Sequence, residues 1–462
     1  MKDSKHTSRR AFIQKTGISV LGLPLVSSGV LGCKNNGAQK ENTNSIAVPS
    51  NSIVVRRNIA DIPVNDPEIQ LLKDGITILK KRSEHSPLDP MGWNAHGLLH
   101  TAFCATSIYA NQIHYNWYVW PWHRLYLWSL EQKLQKAVGE PKLALHYWDW
   151  TKENKIPEHF FGENNPLSND YRQVGPEDTI PLDFMNVGAA LRAKNYKTFG
   201  GHPAIKRKGE PQLDGIAEQT FHNNIHNWIG GQMASFSESG FDPIFYGHHG
   251  NCDRIWNAWQ AYDTENQLPN EEEWLDKKLY VTDGNGKPVE FKIREVLNTE
   301  NLGYTFENLD FNKSCENPLE EVDIPVRDKS ANDAVMPLDT EASEMNAIYT
   351  QLDNKERTHI VIHFSRVQLP YHAYCARVYF EYTFQGKNVS KYSGTFTILP
   401  IQDLDSLFLA SGVHLQVEIE KEVAEVIAAG IDVNVIFEPV SLPNRDISEG
   451  KLKLENVTLK LM

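Results

Sequence analysis

Cysteine is scarce: Cys33, Cys104, Cys252, Cys315 and Cys375 are the only five in 462 residues. They are too few and too scattered for a disulfide-dense scaffold, and no two form the Cys-x-x-Cys pair of a zinc ribbon. A basic surplus is missing too. Lys and Arg number 46 against 59 Asp and Glu, a formal charge of −13 at pH 7. Such a surface repels phosphate backbones, which excludes nucleic acid as a partner. The longest uncharged apolar stretch, Gly17 to Gly32, is short for a bilayer span. There is no repeat of fixed period, and 40% hydrophobic with 23% charged residues is neither collagen-like nor disordered. Against these absences the chain holds 17 His beside 11 Trp, 17 Tyr and 19 Phe, and the histidines are clustered.

The apolar stretch follows Ser8-Arg9-Arg10-Ala11-Phe12-Ile13 and ends in Val30-Leu31-Gly32-Cys33. The first segment resembles a twin-arginine export signal and the second a lipoprotein cleavage box. Residues 1–32 are therefore expected to be a leader, and Cys33 the lipidated first residue of a periplasmic or membrane-anchored protein. Its removal takes away Lys2, Lys5, Arg9, Arg10 and Lys15 but only one acid, Asp3, leaving a more acidic chain. Residues 33–52, rich in Asn, Gly, Ser and Lys, read as a flexible tether. From 53 to 265 apolar residues recur near period 3.6, as at Trp122, Tyr126, Leu127, Leu130 and Leu134, which predicts a mainly α catalytic domain. From 266 to 345, Pro, Gly, Asn and acidic residues break that pattern into turns and short strands, a connecting subdomain. Residues 346–462 carry period-2 runs such as His359-Ile360-Val361-Ile362-His363-Phe364 and Arg377-Val378-Tyr379-Phe380-Glu381-Tyr382. These predict a C-terminal β-sandwich.

Two histidine clusters carry the chemistry. The first is His96, His100, Cys104, His114 and His123, ending in Trp120-Pro121-Trp122-His123-Arg124. The second is Phe221-His222-Asn223-Asn224-Ile225-His226, followed by Asp242-Pro243-Ile244-Phe245-Tyr246-Gly247-His248-His249-Gly250-Asn251-Cys252-Asp253-Arg254. Residues 222 and 226 are four apart, so on a helix both imidazoles leave one face and can grip one ion. A third imidazole, His248 or His249, comes from a second helix. The first cluster supplies a trio in the same way, from one upstream His with His114 and His123. All-imidazole sites suit copper, zinc or iron. A hydrolytic zinc pair would include bridging carboxylates, and none stands among the clustered histidines of either motif, so copper is favoured. Two trios in one domain indicate a dinuclear centre.

These motifs resemble the type-3 copper family of tyrosinases, catechol oxidases and hemocyanins, and are most similar to plant-type polyphenol oxidases. The similarity continues in Val55-Arg56-Arg57, in Glu273-Trp274-Leu275 where that family has Asp-Trp-Leu, in Leu302-Gly303-Tyr304, and in Val378-Tyr379-Phe380-Glu381 and Gly394-Thr395-Phe396. The resemblance implies a four-helix bundle holding two copper ions, followed by a β-sandwich-like C-terminal domain that shields the site. It assigns His100, His114 and His123 to the first copper and His222, His226 and His249 to the second. It favours His100 over His96, because plant-type enzymes carry a Cys four residues after the first ligand. Cys104 has that spacing and would form a thioether to His114.

The activity so implied is oxidation of o-diphenols to o-quinones by O2, with hydroxylation of monophenols as an added capacity. An o-aminophenol oxidase and a hemocyanin-like O2-binding protein are the alternatives. Glu218 and Asn223 would hold a water as general base, and Phe236 would stand over the first copper as a gate. Asp253 is a candidate to accept an imidazole N–H, and Asp149 in Tyr147-Trp148-Asp149-Trp150 a structural residue. Leu369-Pro370-Tyr371-His372-Ala373-Tyr374-Cys375 could place a plug near the site. Cys252 is expected to be buried. Cys315 and Cys375 could pair in an oxidising compartment, though nothing in the sequence brings them together. The oligomeric state is not legible.

Overall fold

The computed structural model describes residues 53–105, 113–203, 214–262, 266–309, 311, 333–338, 357–365, 374–399, 413–443 and 456–460. The expected leader and tether, Cys33, Cys315 and the Leu369 to Ala373 part of the plug lie outside them. Among the described residues no helix is long and apolar enough to cross a membrane.

Helix α1 (Pro67–His85) starts where chain chemistry demands: Pro67 fills the first helical position and the Asp66 carboxylate accepts from Glu68 N–H. It buries Ile69, Leu72, Ile76 and Leu79 on one face. A Cβ at Gly75 would come within 2.9 Å of Leu134 Cδ2, so this glycine lets α1 close on the next long helix but one. Helix α2 (Trp93–Cys104) precedes α3 (Val119–Val138), which stops at Gly139 in the left-handed conformation (φ 73°). Trp122, Tyr126, Leu127, Leu130 and Leu134 are all buried, as their periodicity predicts. The helix is not amphipathic, however. Arg124, Ser129, Glu131 and Lys133 are buried as well, because α3 runs through the centre of the helical part. A π turn (Glu218–His222) leads into α4 (Asn223–Ile229), and α5 (Ile244–Tyr262) completes the bundle.

Strand β1 (Val54–Arg56) pairs in parallel with β4 (Tyr304–Phe306), and β2 (Lys278–Thr282) forms a hairpin with β3 (Pro288–Lys292). Trp274, Leu279, Val281, Ile293 and Tyr304 from this stretch share one continuous core with the helices. The C-terminal part is a two-layer sandwich. One sheet is ordered β5 (Ala334–Pro337), β10 (Val433–Pro439), β7 (Tyr374–Phe384), β8 (Lys387–Ile398); the other is β11 (Asn456–Lys460), β6 (Arg357–Ser365), β9 (Val413–Glu420). Alternate residues, Ile360 and Ile362 on β6, Val378 and Phe380 on β7, and Leu415 and Val417 on β9, fill the space between the sheets. Helix α6 (Lys421–Ala428) adds Val423 and Ile427 to that core. Strand β8 is an edge, and it lies against the π turn and α4.

Candidate metal centre

His100 projects from α2 and His123 from the first turn and a half of α3. His114 sits beside Tyr115, whose positive φ of 62° is a sharp reversal. Each ring is held through Nδ1 by an oxygen. His100 Nδ1–H donates to the Phe236 carbonyl at 2.9 Å, His123 Nδ1–H to the Val119 carbonyl at 2.7 Å, and His114 Nδ1–H to Glu218 Oε1 at 2.8 Å. Carbonyl oxygens only accept, so in His100 and His123 the hydrogen resides on Nδ1; Glu218 Oε1 also takes the Tyr115 N–H, which makes it the acceptor toward His114 too, and each Nε2 lone pair is left for a metal. A ligand atom from each of His100, His114, His123 and Cys104 fits within 4.8 Å of the others.

The second trio is built the same way. His222 Nδ1–H donates to Asn223 Oδ1 at 2.9 Å and His226 Nδ1–H to the Met233 carbonyl at 2.7 Å. The Nε2 atom of His249 lies 3.3 Å from that of His222 and 3.0 Å from that of His226. In the first trio the Nε2 atoms of His123 and His100 are 3.4 Å apart. Three nitrogens at about 2.0–2.1 Å around a near-tetrahedral ion lie roughly 3.3 Å from one another, a spacing that these three pairs match. The trios adjoin: His123 and His249 stack with ring centroids 4.3 Å apart, and His114 faces His222 at 5.5 Å.

All six imidazoles are buried, and desolvation pushes their pKa values down, to about 3 for His114 and for His226. They are neutral at pH 7, as metal ligation requires. Burial raises the Cys104 thiol well above its ordinary value, with a further push from Glu218. The donor set is imidazole only, apart from that sulfur, which suits copper better than a magnesium- or calcium-type ion.

The alternative histidines of each cluster stand in different surroundings. His96 is outside the first group: it stacks on Tyr126 at 4.2 Å, and Lys133 Nζ approaches its Nδ1 at 3.3 Å. Burial lowers the Lys133 ammonium to about 8. His248 is in reach of the second group. Its ring, though, hydrogen-bonds to the His222 backbone and lies 3.7 and 3.9 Å from Cys252 Sγ, while the converging Nε2 belongs to His249. Cys252 is buried as expected.

Glu218, Asn223 and Phe236 all reach the centre. Glu218 is fully buried, and desolvation raises its carboxyl to about 8. Beyond His114 it accepts from Tyr115 N–H at 3.1 and 3.2 Å, so most of its acceptor capacity is spent on holding the first trio. Asn223 accepts from His222 and donates through Nδ2 to the Thr397 carbonyl at 3.0 Å. Phe236 packs its ring 4.2 Å from that of His114.

Asp253 does not meet an imidazole, nor does it pair with Arg254. It accepts from Arg124 Nε at 2.6 Å, from Arg56 Nη1 at 3.4 Å and from the Tyr304 hydroxyl, and Arg56 also pairs with Glu131. The reason is helical phase: four residues beyond His249, Asp253 points at α3 and the β1–β4 pair. Arg254 instead meets Asp149 at 3.0 Å, which keeps Asp149 structural. The sequence reading missed this buried charge network. It also missed Gln219 and Asn224, which bond to backbone carbonyls of the sandwich. A backbone partner has no side-chain signature, so only the Arg56-Arg57 pair hinted at any of this. Cys375 packs in the core of the helical part.

The sequence profile of the common central domain of tyrosinase matches residues 90–193 and 167–262, and that of the polyphenol oxidase middle domain residues 269–317. Polyphenol oxidase B of Solanum lycopersicum is 26% identical over 272 residues, covering 50% of this chain and 46% of its own. Catechol oxidase B of Solanum tuberosum is 28% identical over 254 residues, 47% of this chain and 43% of its own. Both are named chloroplastic, and the chain spans less than half of their length. The structure of latent apple tyrosinase superposes with a TM-score of 0.68 at 19% identity, covering 88% of this chain and 97% of that one; at that identity it is the fold that is shared. Both histidine trios fall within the tyrosinase match, and the chain belongs to the tyrosinase and polyphenol oxidase family.

Proposed function

We propose that the protein is a dicopper phenol oxidase that converts o-diphenols to o-quinones with O2. The observation that carries this reading is the pair of adjoining, buried trios, each with ligand atoms within 4.8 Å of one another and with the His100–His123, His222–His249 and His226–His249 Nε2 pairs at 3.4, 3.3 and 3.0 Å. His100, His114 and His123 would hold one copper, and His222, His226 and His249 the other. When bound, the two coppers supply the reduction of O2 that takes two electrons and two protons from each diphenol, two diphenols per O2.

The chain's own groups keep the imidazoles neutral and aimed, exclude water by burial, and receive the aromatic substrate. Phe236, against the His114 ring, is the gate residue beside the first copper. Cys104, within 4.8 Å of the first-trio nitrogens, is positioned for a thioether to His114 that would lock that ring. Glu218 and Asn223 are the proposed water-holding base for monophenols. The remaining Glu218 Oε2 lone pair is the proton acceptor, and Asn223, with one Nδ2 hydrogen on the Thr397 carbonyl, keeps the other for the water. The sandwich shields the site, residues 1–32 are an export leader, and Cys33 carries the lipid.

The test is copper analysis of the loaded full chain with oxidation assays on a catechol, a monophenol and an o-aminophenol. Two coppers per chain with catechol turnover is the expected result. Preference for the o-aminophenol would reassign the substrate, and two coppers with reversible O2 binding but no turnover would make the protein a carrier. Glu218→Gln should lower the monophenol rate more than the catechol rate; an unchanged ratio removes the base role.

A further inference from the structure

In an antiparallel edge strand, alternate carbonyls point away from the sheet and need a partner. On β8 these are Thr395 and Thr397, two residues apart. Each is taken by a side-chain amide of the second-trio helix: Asn224 Nδ2 donates to the Thr395 carbonyl at 2.9 Å and Asn223 Nδ2 to the Thr397 carbonyl at 3.0 Å. One turn earlier, Gln219 Nε2 donates to the His414 carbonyl at 2.8 Å, and Gln219 Oε1 accepts from Gln416 N–H at 2.9 Å. All four of these bonds are buried. An amide whose Nδ2 is committed to a carbonyl cannot flip, so Asn223 must present Oδ1 to His222 Nδ1–H. That contact sets which His222 nitrogen faces the metal.

We propose that the C-terminal sandwich is a positioning element of the second metal site as well as its cover, acting through the Thr397 carbonyl and Asn223 on His222. The inference rests on the dicopper reading. The first trio meets the sandwich less directly: Tyr115, beside His114, donates its hydroxyl to the Leu399 carbonyl at 2.7 Å, but the Nδ1 partners of His100, His114 and His123 all lie in the helical part. Opening the site by detaching the sandwich would therefore loosen one copper of the two.

Copper release from the loaded full chain into excess chelator tests this, with metal content followed over time. Asn223→Asp keeps Oδ1 for His222 but loses the donor to Thr397. A second variant, Arg192→Met with Arg377→Met, weakens docking away from the metal, since Arg192 pairs with Glu418 and Arg377 with Asp183. Both should release one copper roughly tenfold or more faster than the parent protein, with the other copper unchanged. Combined, they should release it no faster than Asn223→Asp alone, as expected for two changes acting through one contact. Parent-like release in both variants, or equal acceleration of both coppers, would overturn the inference. A parent protein that binds fewer than two coppers would overturn the dicopper reading itself.

Discussion

The two halves of the metal centre are supported differently. The imidazoles of the first trio are held from within the helical part by the acceptors Phe236, Val119 and Glu218, and Arg124, next to His123, is anchored by Asp253; the sandwich touches this side one residue removed, at Tyr115. In the second trio only His249 sits on a long helix, α5; His222 and His226 stand on a π turn and a two-turn helix, and their support comes partly from an edge strand about 170 residues downstream. Short helices contribute little stability of their own, and π turns recur at functional sites because they aim side chains at the cost of regular bonding. A metal site can thus have one half rigid through burial and the other rigid only while a second layer is docked.

The largest effect should come from removing a ligand on either side. His123→Ala and His226→Ala should each cut the copper content from two to one per chain and bring catechol oxidation to background, by metal analysis and assay. If either variant loses both coppers, the halves are not independent. Next in size is Asp253→Ala, which strands Arg124 without its carboxylate and leaves Arg56 with Glu131 alone. It should cost about 3–5 kcal/mol in denaturant unfolding, as broken buried ion pairs do. It should also weaken the first copper more than the second, because Arg124 follows His123 directly. The smallest concerns Lys133, beside His96, whose ammonium is lowered from 10.5 to about 8 by burial. Below pH 8 it is charged in both folded and unfolded chains; between 8 and 10.5 only the unfolded chain holds the proton, so stability gains with rising pH in that window. The parent protein should therefore gain stability relative to Lys133→Met from pH 8 to 10.5, by roughly 2 kcal/mol; a flat difference would show that Lys133 stays protonated.

Much of the fold was legible because burial patterns are local. The 3.6 period of Trp122 to Leu134 and the alternation around Ile360 and Val378 each specify an element and its inward face. The extent of burial was not legible. Nothing in the spacing of Glu131 or Lys133 shows that α3 is surrounded on all sides, since that depends on how α1, α5 and the β2–β3 hairpin converge on it. Asp253 illustrates the same limit: its position in a metal motif suggested an imidazole partner, while the helix phase delivers it to two arginines and a tyrosine.

Residue type and interval alone pointed to two imidazole clusters with a thiol beside the first, at His96, His100, Cys104, His114 and His123 and at His222, His226, His248 and His249. Helical periodicity and ligand chemistry are properties of the chain itself. Only the tertiary structure decided that His100 rather than His96, and His249 rather than His248, turn Nε2 to the centre. It alone revealed that Asn223 and Asn224 reach the carbonyls of β8. Those outcomes depend on which backbone oxygens arrive from elsewhere in the chain, and a backbone oxygen is the same at every residue.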